Sequence, residues 1–331
     1  MKNQPKLTNA ILPPLRCGSA LADLGSGNEE FKPMKLLRRT VAAAAVMLIA
    51  SNAQAQNLFV SDVGSGNGSG NIYDYAPGGV QSTFASGLNV PDGLAVNSAG
   101  DVFEADQNSD SINEFTPGGV QITFASGLNS PSGLAVNSAG TLYEADYGSG
   151  HIYKFTPGGV QSTFASGVDR PFGLAFNSAG DLFVSANPSG IIYEYTPGGV
   201  KSTFASGLIG PGALAVNSAG DVFVGNGTSL TEITPGGMQS TFASGLEIGG
   251  LAFNSAGTLF EADYGSDSIN EFTPGGVEST FASGGLDEPI ALTFQPTPEP
   301  STLGLIVVGA TALLVRRRKL VALLISDSSG D

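Results

Sequence analysis

The sequence predicts an all-β fold: a six-bladed β-propeller of four-stranded antiparallel blades, closed by a C-terminal strand that completes the N-terminal blade. Three observations carry this. A Pro-Gly-Gly turn recurs at Pro77, Pro117, Pro157, Pro197, Pro235 and Pro274, a repeat of 38–40 residues. Each repeat holds four short segments rich in Val, Phe, Tyr and Thr, separated by Gly, Pro or Asn. The ends fit together: the first unit opens on NLFVSD (57–62) without an innermost strand, and the last is followed by a spare one, PIALTF (289–294). Four strands in about 40 residues match one propeller blade. A β-helix coil needs about half that length, and a leucine-rich repeat would carry helical residues.

The unit at 131–177 shows the order of elements. PSGLAVNSAG supplies the first strand and a turn in which Gly140 takes positive φ. TLYEAD is the second strand, YGSG a loop and HIYKFT the third strand. In the Pro-Gly-Gly turn, Pro157 suits the first central position of a type II turn and Gly158 its positive-φ position. VQSTFAS is the fourth strand, and GVDRP leads into the next unit. Near-identical copies follow if each blade packs on its neighbour in the same way. Copies also present one residue six times, whereas an enzyme site needs different residues from different blades.

Composition narrows the partners. Between residues 57 and 296 there are 23 acidic residues against three basic ones, Lys154, Arg170 and Lys201, a net of about −20. Such a body repels phosphate backbones, which argues against nucleic acid as a partner. Cys17 is the only cysteine and precedes the repeats, so neither a disulfide nor a cysteine metal site is expected.

Both ends read as addresses. Residues 34–55 combine a basic start (Lys35, Arg38, Arg39), an apolar run and the small-x-small pattern of Ala53 and Ala55, the layout of a signal peptide cleaved after Ala55. Residues 1–33 sit in front as an extension, which suggests translation from Met34 and leaves Cys17 outside the exported product. At the other end, residues 297–319 hold Pro298-Glu299-Pro300, an apolar run from Leu303 to Val315 and the basic cluster Arg316, Arg317, Arg318 and Lys319. The run is short for a permanent span, which needs roughly 20 residues, and the cluster would act as a stop during export. This three-part end resembles the PEP-CTERM sorting signal of Gram-negative bacteria. The resemblance implies an exosortase that cleaves at Pro-Glu-Pro. It also implies transient anchoring in the inner membrane by an apolar helix, and delivery to the envelope, cell surface or exopolysaccharide matrix. Residues 320–331 extend past the point where such signals stop.

The repeat itself, PSGLAVNSAGTLYEAD, resembles the NHL repeat and, more loosely, the gluconolactonase and virginiamycin B lyase propellers. The resemblance covers the propeller, residues 56–296, and identifies a fold better than an activity.

Candidate site residues come from reading equivalent positions around the ring. The second strands end in Asp62, Asp106, Asp146, Ala186, Asn226 and Asp263. The four carboxylates and the amide could attract Ca²⁺ or another divalent cation, or could tie down their own loops through backbone N–H groups. Two residues earlier, Val60, Glu104, Glu144, Val184, Val224 and Glu261 alternate between apolar and acidic, which predicts a half-exposed position. In VDRPFG, Arg170 and Phe172 replace small residues on the face where the channel opens. With Tyr147 and Tyr264 in loops beside them they form a candidate aromatic-rimmed carbohydrate or peptide site.

The function expected is therefore a non-enzymatic binding or structural protein of the envelope, with exopolysaccharide or an envelope protein as partner. Two enzymatic alternatives come with the resemblance. A lactonase of the gluconolactonase type holds a divalent ion with Glu, Asn and Asp, yet the inner strands here offer no Glu at their starts. A lyase of the virginiamycin B type needs a His base, and only His151 is present.

Overall fold

The computed structural model describes residues 56–296 except Asn67; the signal-peptide and sorting-signal segments lie outside them. Six four-stranded antiparallel sheets make up the described chain. Blade 1 holds β1 (Leu58–Asp62), β2 (Gly70–Ala76), β3 (Val80–Leu88) and, as its inner strand, the last of the described strands. Blade 2 holds β4 (Pro91–Val96), β5 (Val102–Asp106), β6 (Ser111–Phe115) and β7 (Gln121–Ser126). Blade 3 holds β8 (Pro131–Val136), β9 (Leu142–Asp146), β10 (His151–Phe155) and β11 (Gln161–Ser166). In blade 4 these are β12 (Pro171–Phe176), β13 (Leu182–Ala186), β14 (Ile191–Tyr195) and β15 (Lys201–Ser206). Blade 5 comprises β16 (Pro211–Val216), β17 (Val222–Asn226), β18 (Ser229–Ile233) and β19 (Gln239–Ser244). Blade 6 comprises β20 (Ile248–Phe253), β21 (Leu259–Asp263), β22 (Ser268–Phe272) and β23 (Glu278–Ser283). β24 (Pro289–Phe294) pairs antiparallel with β1, Leu58 opposite Phe294 and Val60 opposite Leu292. The ring is thus closed by both ends of the propeller sequence within one blade.

The recurring STFAS segment explains itself in the packing. Its Phe makes an edge-to-face contact with the aromatic of the second strand in the same blade: Phe84–Phe59 at 5.0 Å, Phe124–Phe103 at 5.0 Å, Phe164–Tyr143 at 5.1 Å. It then reaches the third strand of the next blade, as in Phe84–Phe115 at 5.9 Å and Phe124–Phe155 at 5.7 Å. Each such pair contributes about 0.5–1.5 kcal/mol beyond area burial. The buried apolar residues fall into six clusters, one per blade–blade interface; Leu134 and Leu142 of blade 3, for example, pack with Phe103 and Ile112 of blade 2.

Two glycine positions have distinct causes. Gly133, in the inner strand, has no turn to make: a Cβ there would lie 2.1 Å from the Phe172 carbonyl oxygen of the next inner strand. Six inner strands crowd around one axis, so their backbones must approach closely. In blades 2 to 6 the Pro-Gly-Gly turn corrects the type II expectation; in blade 1 Gly78 does take positive φ, at 101°. In blade 3 positive φ falls on the second glycine, Gly159 at 78°, and not on Gly158. The Gly159 amide donates to the Thr156 carbonyl and the Thr156 amide to the Val160 carbonyl, a type I turn followed by a left-handed residue that matches the strand twist.

The ring therefore has two faces. On the turn face lie the Pro-Gly-Gly turns, the Asn-Ser-Ala-Gly turns and both ends of the propeller, since Leu58, Tyr75 and Phe294 are paired across blade 1. On the loop face lie the ends of the second strands and the crossings between blades.

Candidate functional site

The loop face carries the candidate metal residues Asp62, Asp106, Asp146, Asn226 and Asp263 and the candidate ligand residues Tyr147, Arg170, Phe172 and Tyr264; the cleavage and sorting residues lie outside the described residues. The ring of carboxylates acts as a set of separate latches. Asp106 accepts from the Asn89 amide (3.0 Å) in the crossing that leads into its blade and from the Ser109 amide (3.2 Å) in its own loop. Asp146 does the same with Asn129 (2.8 Å) and Ser149 (3.0 Å). Asp62 accepts from Asp287, Asp263 from Gly265 and Ser266, and the Asn226 carbonyl oxygen from the Ile209 amide. Burial, with nearby Asp287 and Asp267, pushes the Asp62 carboxyl up to about 6. These oxygens face backbone N–H groups, one blade at a time, and the set does not fit a shared divalent ion. Among the described residues no group of three or more His, Cys, Asp or Glu could hold a metal.

The alternating Val/Glu position corrects the half-exposed expectation. Glu104, Glu144 and Glu261 are all 0 % exposed. The register explains it: this residue sits mid-way along the second strand, between the inner strand and the third, and points into a blade–blade interface. In blades 2 and 6 an Asn answers it, Asn113 donating to Glu104 (2.9 Å) and Asn270 to Glu261 (3.1 Å). In blade 3 the answering position is Tyr153, which stacks on His151, and neither Glu144 oxygen has a partner. Desolvation raises Glu104 and Glu261 to about 8 and Glu144 to about 9, so all three are held neutral at pH 7. His151 itself is partnered by the Ser149 hydroxyl at 2.9 Å.

Three of the four proposed ligand residues come together. The Arg170 guanidinium carbon lies 5.9 Å from the Tyr147 ring centroid, and Tyr147 meets Phe172 edge-to-face at 6.4 Å. Arg170 is exposed and held at φ 48°, the left-handed position that Gly210 fills in the next crossing. Tyr264 is a correction: it belongs to the corresponding loop of blade 6, three blades around the ring from Tyr147, and stands 42 % exposed by itself. Sequence reading does not single out Asp92. Among the described residues it is the only carboxylate lining the channel mouth, beside Phe172, Ile290 and the leucines of the inner strands, and burial raises it to about 7. Its signal lay in the second inner-strand position, which reads Asp92, Ser132, Phe172, Gly212, Gly249 and Ile290, a single charge among small or apolar residues.

Known proteins sharpen the picture at both levels. A family model described as the PEP-CTERM protein-sorting motif matches residues 296–319. The chain carries a PEP-CTERM sorting motif. That motif marks an exported, envelope-targeted protein, and here it begins two residues after β24 ends. Solved structures share the propeller. The nidogen/laminin complex superposes with a TM-score of 0.66 at 16% identity over 73% of this chain and 99% of that one. A gluconolactonase from Xanthomonas campestris follows at 0.56, 15% identity, 63% and 83%. The virginiamycin B lyase from Staphylococcus aureus gives 0.54, 16% identity, 73% and 92%. At such identities the likeness concerns the fold alone. No curated protein matches the sequence. Among the described residues no helix is long and apolar enough to cross a membrane.

Proposed function

We propose that this PEP-CTERM protein is a non-enzymatic binding component of the cell surface, holding a glycan of the exopolysaccharide matrix at the Tyr147–Arg170–Phe172 cluster. The observation that carries the reading is the cluster itself: an exposed guanidinium against the Tyr147 ring, which in turn meets the Phe172 ring, on an acidic propeller that has only two other Lys or Arg residues. Aromatic faces stack on sugar rings, and a guanidinium offers five donors and no acceptor, so the ligand presents oxygen acceptors. The lactonase and lyase readings rest on fold likeness; here the ring oxygens are engaged by backbone amides, and His151 faces a serine.

Export by the signal peptide at 34–55 and processing by an exosortase at Pro298-Glu299-Pro300 complete the proposal. Replacing that triplet with alanines should leave the protein unprocessed in the membrane fraction; normal release would refute the processing step. For the binding site, blade 3 supplies the control. Changing Arg170→Ser and Phe172→Ser restores the Ser130 and Ser132 found one blade earlier. Co-sedimentation with exopolysaccharide from the producing bacterium should be lost in this variant while its melting temperature holds. Retained co-sedimentation would remove the cluster from the site.

A further inference from the structure

The turn face carries an apolar rim that the glycan reading does not use. The residue after each Pro-Gly-Gly turn is Val80, Val120, Val160, Val200, Met238 or Val277, with exposures of 70, 62, 66, 68, 75 and 66%. These six are two-thirds of the nine exposed large hydrophobics among the described residues. Neighbouring positions on the outer strands are mostly polar: Gln81, Gln121, Gln161, Lys201, Gln239 and Glu278 come next, then five serines and Ile122. In blade 5 the valine has been exchanged for another apolar residue, Met238. Isolated exposed apolar residues are ordinary on a protein surface, but one at the same place on every blade forms a ring on one face.

The sorting motif leaves from that same face. β24 runs from Pro289, level with Asp62 on the loop face, to Phe294, level with Leu58 and Tyr75 at the turns. The Gln295 amide donates to the Asn57 carbonyl, and the Gln56 side chain to the Gln295 carbonyl at 2.8 Å, so the chain is still held at the sheet edge there. From Phe294 to Leu303, where the apolar run begins, is nine residues, at most roughly 30 Å of extended chain. A tether of that length keeps the turn face close to whatever the apolar run enters.

We propose that the turn face is the membrane-facing side of the unprocessed protein, and that the six-residue apolar rim rests on the bilayer surface. The proposal depends on the reading that residues 297–319 anchor the chain before processing. Each rim residue offers a small apolar area, and the acidic body is repelled by anionic headgroups, so the rim does not hold the protein there unaided. The tether raises its effective concentration at the surface, and six weak contacts then act together. The loop face, with Arg170, Tyr147 and Phe172, is turned away from the membrane toward the matrix.

The test uses the full chain, with Cys17→Ser, reconstituted into phosphatidylcholine vesicles containing a brominated lipid quencher. A dye is placed either at Ser162→Cys beside the rim or at Asn108→Cys on the loop face. Flotation first establishes that the chain is anchored. Quenching at position 162 should exceed that at 108 several-fold. It should fall to the level at 108 when Val80, Val120, Val160, Val200, Met238 and Val277 are all changed to Thr. The melting temperature of this variant is compared with wild type, and a variant with three alternate blades changed should give an intermediate value. Adding anionic lipid should weaken the quenching. Equal quenching at the two positions in a chain that floats overturns the proposal and leaves the anchor reading standing. Undiminished quenching in the Thr variant shows orientation by the tether alone, and energy transfer between copies assigns the rim to a second copy; either overturns the proposal. A chain that does not float overturns the proposal and the anchor reading together.

Discussion

The two faces of the ring are written by the same repeat and have diverged to different degrees. On the turn face, Asn97, Asn137, Asn177, Asn217 and Asn254 each accept from the amide two residues on, as in Asn137 with Ala139 at 3.0 Å, and an apolar residue follows every Pro-Gly-Gly. On the loop face, equivalent positions hold Asp92, Ser132, Phe172, Gly212, Gly249 and Ile290, and the residue before the inner strand changes from Val90 to Ser130 to Arg170 to Gly210. A uniform face offers the same weak contact six times. A varied face sets single crossings apart, and the one between blades 3 and 4 carries Arg170 and Phe172. Fold and individuality are thus divided between the ends of the same strands.

The strongest way to break this division is to open the ring. Ending the chain at Glu288 removes β24, leaves β1 without its inner partner and uncovers the blade 1 interfaces. The cooperative thermal transition should disappear by circular dichroism; a wild-type melt would mean that closure is not structural. Next in size is Gly133→Ala, which drives a Cβ into the Phe172 carbonyl and should cost about 3 kcal/mol in urea unfolding. Gly127→Ala, at φ 77° with nothing within 4 Å, should cost about 1 kcal/mol. Equal costs would refute the close approach of inner strands.

The third comparison lies between blades. Glu144→Val, which copies Val60, Val184 and Val224, removes an unpartnered buried carboxyl and should stabilise by about 1–3 kcal/mol at pH 8. The sign of the pH dependence follows from the raised value. Glu144 titrates at about 9 when folded against 4.5 when exposed, so the folded state binds more protons between those limits. Its contribution is fully present below about pH 4.5 and is lost as pH rises toward 9, and Glu104 and Glu261 act in the same sense. Melting temperature should fall with pH across this range, less steeply in Glu144→Val; identical slopes would contradict the burial. The smallest effect is expected from Arg170→Gly. It removes a side chain from a left-handed backbone, and stability should stay within about 0.5 kcal/mol.

The architecture was open to reading because a repeat shows its period and its missing strand directly in the order of residues. Blade number, strand order and the closing partnership of 57–62 with 289–294 all follow from that. The site was legible only in part. Arg170 and Phe172 stood out as departures from their copies, and Tyr147 proved to lie against Arg170. Tyr264 was misplaced because equivalent residues are alike in sequence while the ring sets them three blades apart. Glu144 was misread because Val–Glu exchange looks the same whether the site is half-exposed or buried with a proton. Only the register, with Tyr153 where Asn113 and Asn270 stand, separates the cases.

The central claim is that the crossing between blades 3 and 4 binds a matrix glycan without converting it. Titration calorimetry of the exported propeller with purified exopolysaccharide fragments, wild type against Arg170→Gly, addresses it most directly. The account predicts saturable binding by wild type, unchanged fragments recovered afterwards, and at least a tenfold weaker Kd in the variant, about 1.4 kcal/mol. Equal affinities would contradict it, and so would fragments recovered cleaved.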